Sequence, residues 1–174
     1  RSNTADTLDQ VQINNAASLR AAKNLTLSAE TGKIEANSNT SFEADTLGLG
    51  DASIYLQSQV NLNGNDLSLK AADLNVAEGI DSDLGALSIS STDTRDIYVG
   101  DSLEDGLVIS NAELASFSVA NLTVGDIDSG SIIVDGIAET DSNNVTGLVS
   151  LDATGEGKQV SFTGEASIFN ALDT

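Results

Sequence analysis

Two pairs of aspartates separated by one residue are the strongest candidates for chemistry in this sequence. They are Asp81-Ser82-Asp83 and Asp126-Ile127-Asp128, and two carboxylates at this spacing can offer oxygen ligands to calcium. Neither pair lies in a twelve-residue loop closed by a bidentate Glu, or in the glycine-aspartate nonapeptide of calcium-binding β-rolls. We therefore expect diffuse binding of Ca²⁺ by an acidic surface and no required cofactor.

Composition excludes most other chemistry. The 174 residues include no His and no Cys, which excludes thiolate nucleophiles, Ser-His-Asp triads, zinc sites and disulfides. The 27 acidic residues outnumber the 7 Lys and Arg, for a net charge of −20. Such a surface repels nucleic acid phosphates and anionic lipid headgroups. No apolar run approaches the length of a membrane span, and we expect no signal peptide within residues 1–174; if the protein is exported, Arg1 lies after the cleavage point or inside a longer chain.

One basic residue lies close to an acidic cluster. Arg95 falls between Asp93 and Asp96, and β-helical enzymes that cleave acidic polysaccharides use Asp with Arg or Lys on one face. A surface ion pair explains Arg95 more simply, and an anionic substrate would be repelled. We expect no enzymatic activity.

A period of five residues indicates which elements position these side chains. When residues 40–139 are sorted into pentads, Val, Ile, Leu and Phe fill 12 of 20 places in each of two columns, and 3, 2 and 2 in the others. The two columns lie two residues apart, as in Leu122-Thr123-Val124, which is typical of a short strand with alternate side chains in one core. Residues at i and i+2 would face opposite sides of a helix, so the pattern excludes a helical solenoid.

The remaining pentad positions are rich in Gly, Asp, Asn and Ser, which favour turns. Gly-Asp follows a strand triplet three times, at Gly50-Asp51, Gly100-Asp101 and Gly125-Asp126. We interpret these as corners in which Gly supplies positive φ and Asp caps the turn. A row of calcium ligands is the alternative.

The short strands, the turn-forming corner residues and the five-residue period together predict an all-β fold, the right-handed parallel β-helix. Leu47, Leu67, Leu87 and Leu107 recur every 20 residues, so we expect about 20 residues per coil and about eight coils. Residues 1–174 would form one segment of a longer chain or of a stacked assembly. The polar stretch 138–147 interrupts the pattern and is predicted to be a projecting loop.

Three stretches carry a resemblance to a known family. Residues 110–137, SNAELASFSVANLTVGDIDSGSIIVDGI, together with 47–53 and 60–76, resemble the coil repeats of filamentous-haemagglutinin-like bacterial surface adhesins. The resemblance implies a β-helical stalk or adhesin, exported to the cell surface, that attaches to cell-surface or matrix components, including glycans. It transfers no catalytic residues. End-to-end or lateral self-association is a further expectation.

A second resemblance points to another class. The pentads ASFSV, ANLTV and GDIDS are similar to pentapeptide-repeat proteins, some of which are acidic DNA mimics that bind DNA-handling enzymes. In that family a small or apolar residue stands two before the central Leu or Phe. Here Arg95, Asp105 and Asp135 occupy such positions, which favours the adhesin reading.

Overall fold

The computed structural model describes residues 10–29, 32–100 and 105–174. Strands predominate and are short, since each contains two to six residues. The first nine strands are β1 Val11–Ile13, β2 Ala17–Arg20, β3 Leu25–Leu27, β4 Ile34–Ala36, β5 Thr40–Glu43, β6 Ser53–Leu56, β7 Val60–Asn61, β8 Leu67–Ala71 and β9 Asp73–Val76.

The second part of the chain adds ten strands and two short helices. In chain order these are β10 Ile80–Asp81, β11 Ala86–Ser91, β12 Ile97–Gly100, β13 Leu107–Ile109, α1 Asn111–Ala115, β14 Phe117–Ser118, β15 Asn121–Val124, β16 Ile132–Asp135, α2 Glu139–Ser142, β17 Val149–Leu151, β18 Val160–Thr163 and β19 Leu172–Asp173.

The strands form four sheets, and every pairing between strands of the described residues is parallel. Strands that follow one another in the chain belong to different sheets, except β12 and β13, and every third strand returns to the same sheet over the first half of the chain. The strand orders are β1-β4-β7-β10-β14, β2-β5-β8-β11-β15-β17-β19, β3-β6-β9 and β13-β12-β16-β18. The prediction of an all-β fold built from short parallel strands is confirmed.

The core lies between the sheets and consists of aliphatic residues with Phe42 and Phe117. Of the 24 apolar residues in the two pentad columns, 20 are buried, so the alternation correctly identified the inward face of most strands. The exceptions are Leu47, Leu49, Leu84 and Ile127, which are 61–83% exposed. They lie between strands, where the corner lengths differ and the pentad frame no longer tracks the inward direction.

The spacing of the stacked strands is less regular than the sequence suggested. Leu67 pairs with Leu87, as the 20-residue period predicts. However, Val11 pairs with Ile34 and Ile80 with Phe117. The expected match of Leu87 with Leu107 is wrong, because Leu87 pairs with Leu122 and Leu107 pairs with Ile97. The longest sheet has seven strands, against the eight coils expected.

Extra residues are inserted at two corners, and the first insertion accounts for the longest spacing, from Ile80 to Phe117. One insertion carries β13 and α1 between β12 and β14. Another carries α2, within the segment 138–147 that was predicted to project as a loop. Val145 of that segment is 1% exposed and bridges Val119, so this part of the segment packs on the core.

Glycine meets the steric demands of the predicted corners. Gly50, Gly100 and Gly125 all have positive φ, at 69°, 118° and 92°. A Cβ on Gly100 would lie 1.8 Å from the carbonyl oxygen of Asp135, its partner in β16, so the neighbouring strand also excludes a side chain there. The prediction for these glycines is confirmed. Asp101, its partner in the Gly-Asp motif, lies outside the described residues.

Candidate functional site

The Asp126–Asp128 pair, a calcium candidate, forms a turn directly after β15. Asp126 Oδ1 accepts hydrogen bonds from the Asp128 amide at 3.0 Å and from Ser129 Oγ at 2.8 Å. Asp126 therefore caps its corner, as predicted. Lys70 Nζ lies 3.4 Å from Asp126 Oδ2 and 3.3 Å from Asp128 Oδ2, so an ammonium group stands between the two carboxylates.

Opposite charges and hydrogen bonds stabilise the ionised forms of Asp126 and Lys70 at this turn. Burial by itself would raise the pKa of Asp126, but hydrogen bonds and the Lys70 charge lower it below its ordinary value. Burial would lower the pKa of Lys70, but the two carboxylates raise it. In this arrangement Lys70 already supplies the positive charge that a calcium ion would bring.

The other calcium candidates lie on a different part of the surface. Asp81 ends β10 and pairs with Asn61 and Ser118 of neighbouring strands. Asp83 follows in an exposed turn with φ of 56°. Within residues 10–29, 32–100 and 105–174, no three Asp or Glu side chains are grouped so that they could hold a metal ion.

Arg95 lines a polar cleft with Asp51, Asp73 and Asp105. Its Nη1 donates to the Gly50 carbonyl oxygen at 2.8 Å, and its Nη2 forms an ion pair with Asp105. The sequence suggested a cluster of Arg95 with Asp93 and Asp96. In the structure, Asp96 instead accepts a hydrogen bond from the Ser131 amide at 2.7 Å. The partner of Arg95 is therefore Asp105, ten residues away in the chain.

Asp45 is the buried charge that the sequence did not indicate. Asp45 is only 2% exposed. Its carboxylate accepts hydrogen bonds from the amides of Leu49 at 2.8 Å and Gly50 at 2.7 Å, and from Thr92 Oγ1 at 3.1 Å. Burial would raise the pKa of Asp45, but these bonds and the Arg95 charge lower it. The available signal was an Asp followed by two glycines, which favours a turn but does not predict burial.

A seam divides one side of the molecule. Among the described strands, β9 ends one sheet and β13 begins another, and carboxylates bridge β9 to β13 and to the helix α1 that follows it. Asp73 Oδ1 accepts from the Val108 amide at 3.2 Å, and Glu113 Oε1 accepts from the Val76 amide at 3.0 Å. Glu113 also accepts from the Ser110 amide at 3.0 Å, so one side chain both caps α1 and holds β9.

The seven-stranded sheet presents a column of hydroxyl groups on its outer face. The parallel register aligns one residue from each of six strands, and none of the six is buried. The column is Ser18, Ser41, Ser68, Ser88, Thr123 and Ser150. A shallow groove runs along its first four members. The alignment depends on corner lengths, so the sequence alone did not reveal it.

Comparison with protein-family models, with curated proteins and with solved structures finds no match for this chain. The two helices of the described residues have five and four residues, and neither has the length or apolar content that a membrane span requires.

Proposed function

We propose that this chain is a right-handed parallel β-helix that serves as the rod of a bacterial surface adhesin or extracellular filament. The observation that carries the proposal is the return of every third strand to the same sheet, through β1-β4-β7-β10, β2-β5-β8-β11 and β3-β6-β9. A chain that visits three parallel sheets in rotation winds around a common core. The rod is structural and adhesive, and has no catalytic role.

Strand connection rules support the proposed handedness. Parallel strands of one sheet are joined by right-handed crossovers in about 98% of known cases. Each return to a sheet here passes through strands of the other sheets, which is such a crossover. Stacked strands are about 4.8 Å apart, so each added coil lengthens the rod while its cross-section stays constant.

The side-chain chemistry favours a scaffold over a polysaccharide-active enzyme. The Asp126–Asp128 pair is engaged by Lys70, and Arg95 is engaged by Asp105 and Gly50. The acidic groups therefore serve corners and ion pairs. The outward hydroxyl column, with the groove beside it, offers a repeated polar surface suited to contact with an extended ligand such as a glycan.

The number of residues between stacked strands also weighs against the interpretation of this chain as a DNA mimic. A pentapeptide-repeat coil has 20 residues, whereas the pairs Val11–Ile34, Ile80–Phe117 and Leu122–Val149 span longer intervals. The charge of −20 serves a different purpose in a rod, because like charges on its outer surface keep an edge-rich fold soluble.

Adhesion and location test the proposal directly. Antibodies raised against the purified chain should label intact cells of the bacterium that produces it, and beads coated with the chain should bind to immobilised glycans or matrix proteins. Beads coated with an equally acidic globular protein are the control. Labelling only after the cells are broken, together with bead binding no greater than the control, would reject the adhesin.

A further inference from the structure

A polar cleft opens at the seam, where β6, β9 and β13 begin. Its walls include Asp51 and Ser53 around the start of β6, Asp73 at the start of β9, and Asp105 before β13, with Arg95 beside them. The cleft has a volume of about 490 Å³, which lies within the range of about 300–1,000 Å³ that small-molecule sites occupy. It is therefore large enough to hold one small polar ligand.

Arg95 has more hydrogen-bond donors than the fold uses. A guanidinium carries five N–H donors. Among the described residues, Nη1 donates to the Gly50 carbonyl oxygen and Nη2 to Asp105, while Nε is buried and has no partner. A buried donor without a partner is rare in folded proteins. The side chain is 24% exposed and lines the cleft, so the remaining N–H groups of Nη1 and Nη2 can be reached by a ligand there.

A strained turn fixes Arg95 at this position. Asp93 and Thr94 both have positive φ, at 57° and 55°, and a β-branched residue such as Thr rarely adopts this conformation. The Arg95 amide closes the turn by donating to the Thr92 carbonyl oxygen at 3.1 Å, and Thr92 Oγ1 donates to the buried Asp45 carboxylate at 3.1 Å. Backbone strain of this kind persists only where the surroundings impose it, and it is concentrated at ligand-binding and active sites. The base of the Arg95 side chain is thus in place before any ligand arrives.

The cleft also holds acceptor oxygens that the fold leaves free. Asp73 uses Oδ1 to accept from the Val108 amide at 3.2 Å, and its Oδ2 has no partner among the described residues. The exposed Asp51 carboxylate and the Ser53 hydroxyl also make no hydrogen bond within the described part of the chain. A ligand therefore meets donors on Arg95 and acceptors on Asp51 and Asp73.

Charge and hydrogen-bonding capacity select the class of ligand. Three carboxylates against one guanidinium repel an anion. An ammonium group has three donors and no acceptor, so it would leave the Arg95 donors unused. A hydroxyl group both donates and accepts, and neighbouring hydroxyls on a sugar ring can therefore satisfy the guanidinium and a carboxylate together. A neutral saccharide meets both requirements.

We propose that this cleft binds one neutral sugar unit of a glycan, whose hydroxyl groups accept from Arg95 and donate to Asp51 and Asp73. The proposal deepens the adhesive function above and rests on it, since it names where the rod binds a glycan and by which groups. The site is separate from the hydroxyl column, which lies on the seven-stranded sheet. No covalent bond changes, because hydrogen bonds alone hold the sugar.

Titration of the purified chain with single sugars tests the site. The probes are the methyl glycosides of glucose, galactose, mannose and N-acetylglucosamine, with glucuronate and glucosamine as charged counterparts. Nuclear magnetic resonance spectra should show saturable shifts of the Asp51, Ser53 and Arg95 amides with at least one neutral probe, at a Kd in the millimolar range expected for so small a ligand. Glucuronate should bind more weakly than the neutral probe.

Two substitutions remove ligand contacts from the cleft. Asp51→Ala deletes a free carboxylate from an exposed position, and Arg95→Lys keeps the charge but loses the planar array of donors. Each should weaken binding of the neutral sugar by about tenfold or more. Glu156→Ala, which removes an exposed acidic residue outside the cleft, is the matched control and should bind like wild type. Circular dichroism verifies folding, and Asp51→Ala decides the result if Arg95→Lys does not fold.

Failure of the site and failure of the adhesin give different results. Beads that bind glycans equally well when coated with wild type or Asp51→Ala, together with no saturable shift up to about 100 mM sugar, would overturn the cleft and leave the adhesin. Saturable shifts at the cleft, in a chain that does not label cells, would support the site and reject the adhesin. Binding of glucosamine alone, which fades as salt increases, would also overturn the proposal, because charge attraction would then account for it.

Discussion

Asp45 is the one charged residue that is fully buried among the described positions. It has φ of 60°, a backbone conformation that Asp tolerates better than most residues. Its carboxylate holds the amides of Leu49 and Gly50, so the turn closes around the side chain. Three donors and the charge of Arg95 compensate for the lost hydration of this group.

We expect acid to weaken the fold through Asp45. The folded-state pKa lies below the ordinary value of 3.8, so its contribution to stability is present above that value and is lost as pH falls through the folded pKa. Asp45→Asn should lower the free energy of unfolding by about 2–3 kcal/mol near neutral pH, and by less in acid. Urea unfolding at about pH 7 and about pH 2.5 measures both.

Asp51→Asn in the same loop is the control, because Asp51 is exposed. It should change stability by less than about 0.5 kcal/mol. An equal loss for Asp45→Asn at both pH values would contradict a role of the ionised carboxylate.

Lys70→Ala should make the Asp126–Asp128 turn available to calcium. The ammonium that now lies between the carboxylates would be absent, and calcium would be the remaining source of positive charge. Titration calorimetry should detect tighter calcium binding than in wild type. The loss of the partly exposed ion pairs should cost about 1 kcal/mol or less. Lys158→Ala removes the same charge elsewhere, and an equal gain in calcium binding there would attribute the effect to net charge alone.

At the scale of single residues, the sequence predicted local features better than distant ones. Gly125 and Asp126 form the corner that their types favour. The partner of Asp126, Lys70, lies 56 residues away, and Thr92 reaches Asp45 across 47 residues. Such pairs depend on which strands stack together, and residue type does not specify this.

At the scale of elements, alternation within each strand is the dominant physical signal. Inward residues of successive strands form continuous columns, such as Leu67, Leu87 and Leu122. The pentad identified these strands because their apolar spacing of two residues is fixed by the pleat. It failed for Leu47 and Leu84, since a corner can hold any number of residues without disturbing the strands on either side.

Alanine substitutions within one pentad column distinguish strand from corner. Leu122→Ala should lower the free energy of unfolding by about 2–5 kcal/mol, because it opens a cavity in the core. Leu47→Ala, from the same column but 64% exposed, should change it by less than about 0.5 kcal/mol. Denaturant unfolding compares them, and equal losses would mean that Leu47 is also a core residue.

Glu113 should control the seam between β9 and β13. Glu113→Ala removes the acceptor of the Val76 amide and part of the α1 cap, and should cost about 1–2 kcal/mol. Hydrogen exchange of Val76 should accelerate more than exchange in β8. Glu139→Ala, an exposed acidic residue of α2, is the matched control. Unchanged exchange at Val76 in Glu113→Ala would show that the bridge does not hold the seam.

At the scale of the whole molecule, an excess of acid surrounds an aliphatic core. The net charge of −20 is carried by a chain of 17.8 kDa, so repulsion between outward carboxylates opposes the compact state. We expect the melting temperature to rise as salt increases from low to about 0.15 M, where the Debye length falls to about 8 Å. Calorimetry measures the melting temperature at each salt concentration. A melting temperature that does not change with salt would mean that local ion pairs such as Arg20–Glu43 already offset the repulsion between carboxylates.

The stacking pattern also determines how the chain can fold over time. In the longest sheet, paired residues of neighbouring strands are 20 residues apart in the chain (Leu67 and Leu87) to 35 residues apart (Leu87 and Leu122). None of these pairings requires the two ends of the polypeptide to meet. Folding can then proceed one layer at a time behind an advancing chain. A chain emerging in an extended form through a narrow pore would add finished layers on the far side, and their formation would oppose backward sliding.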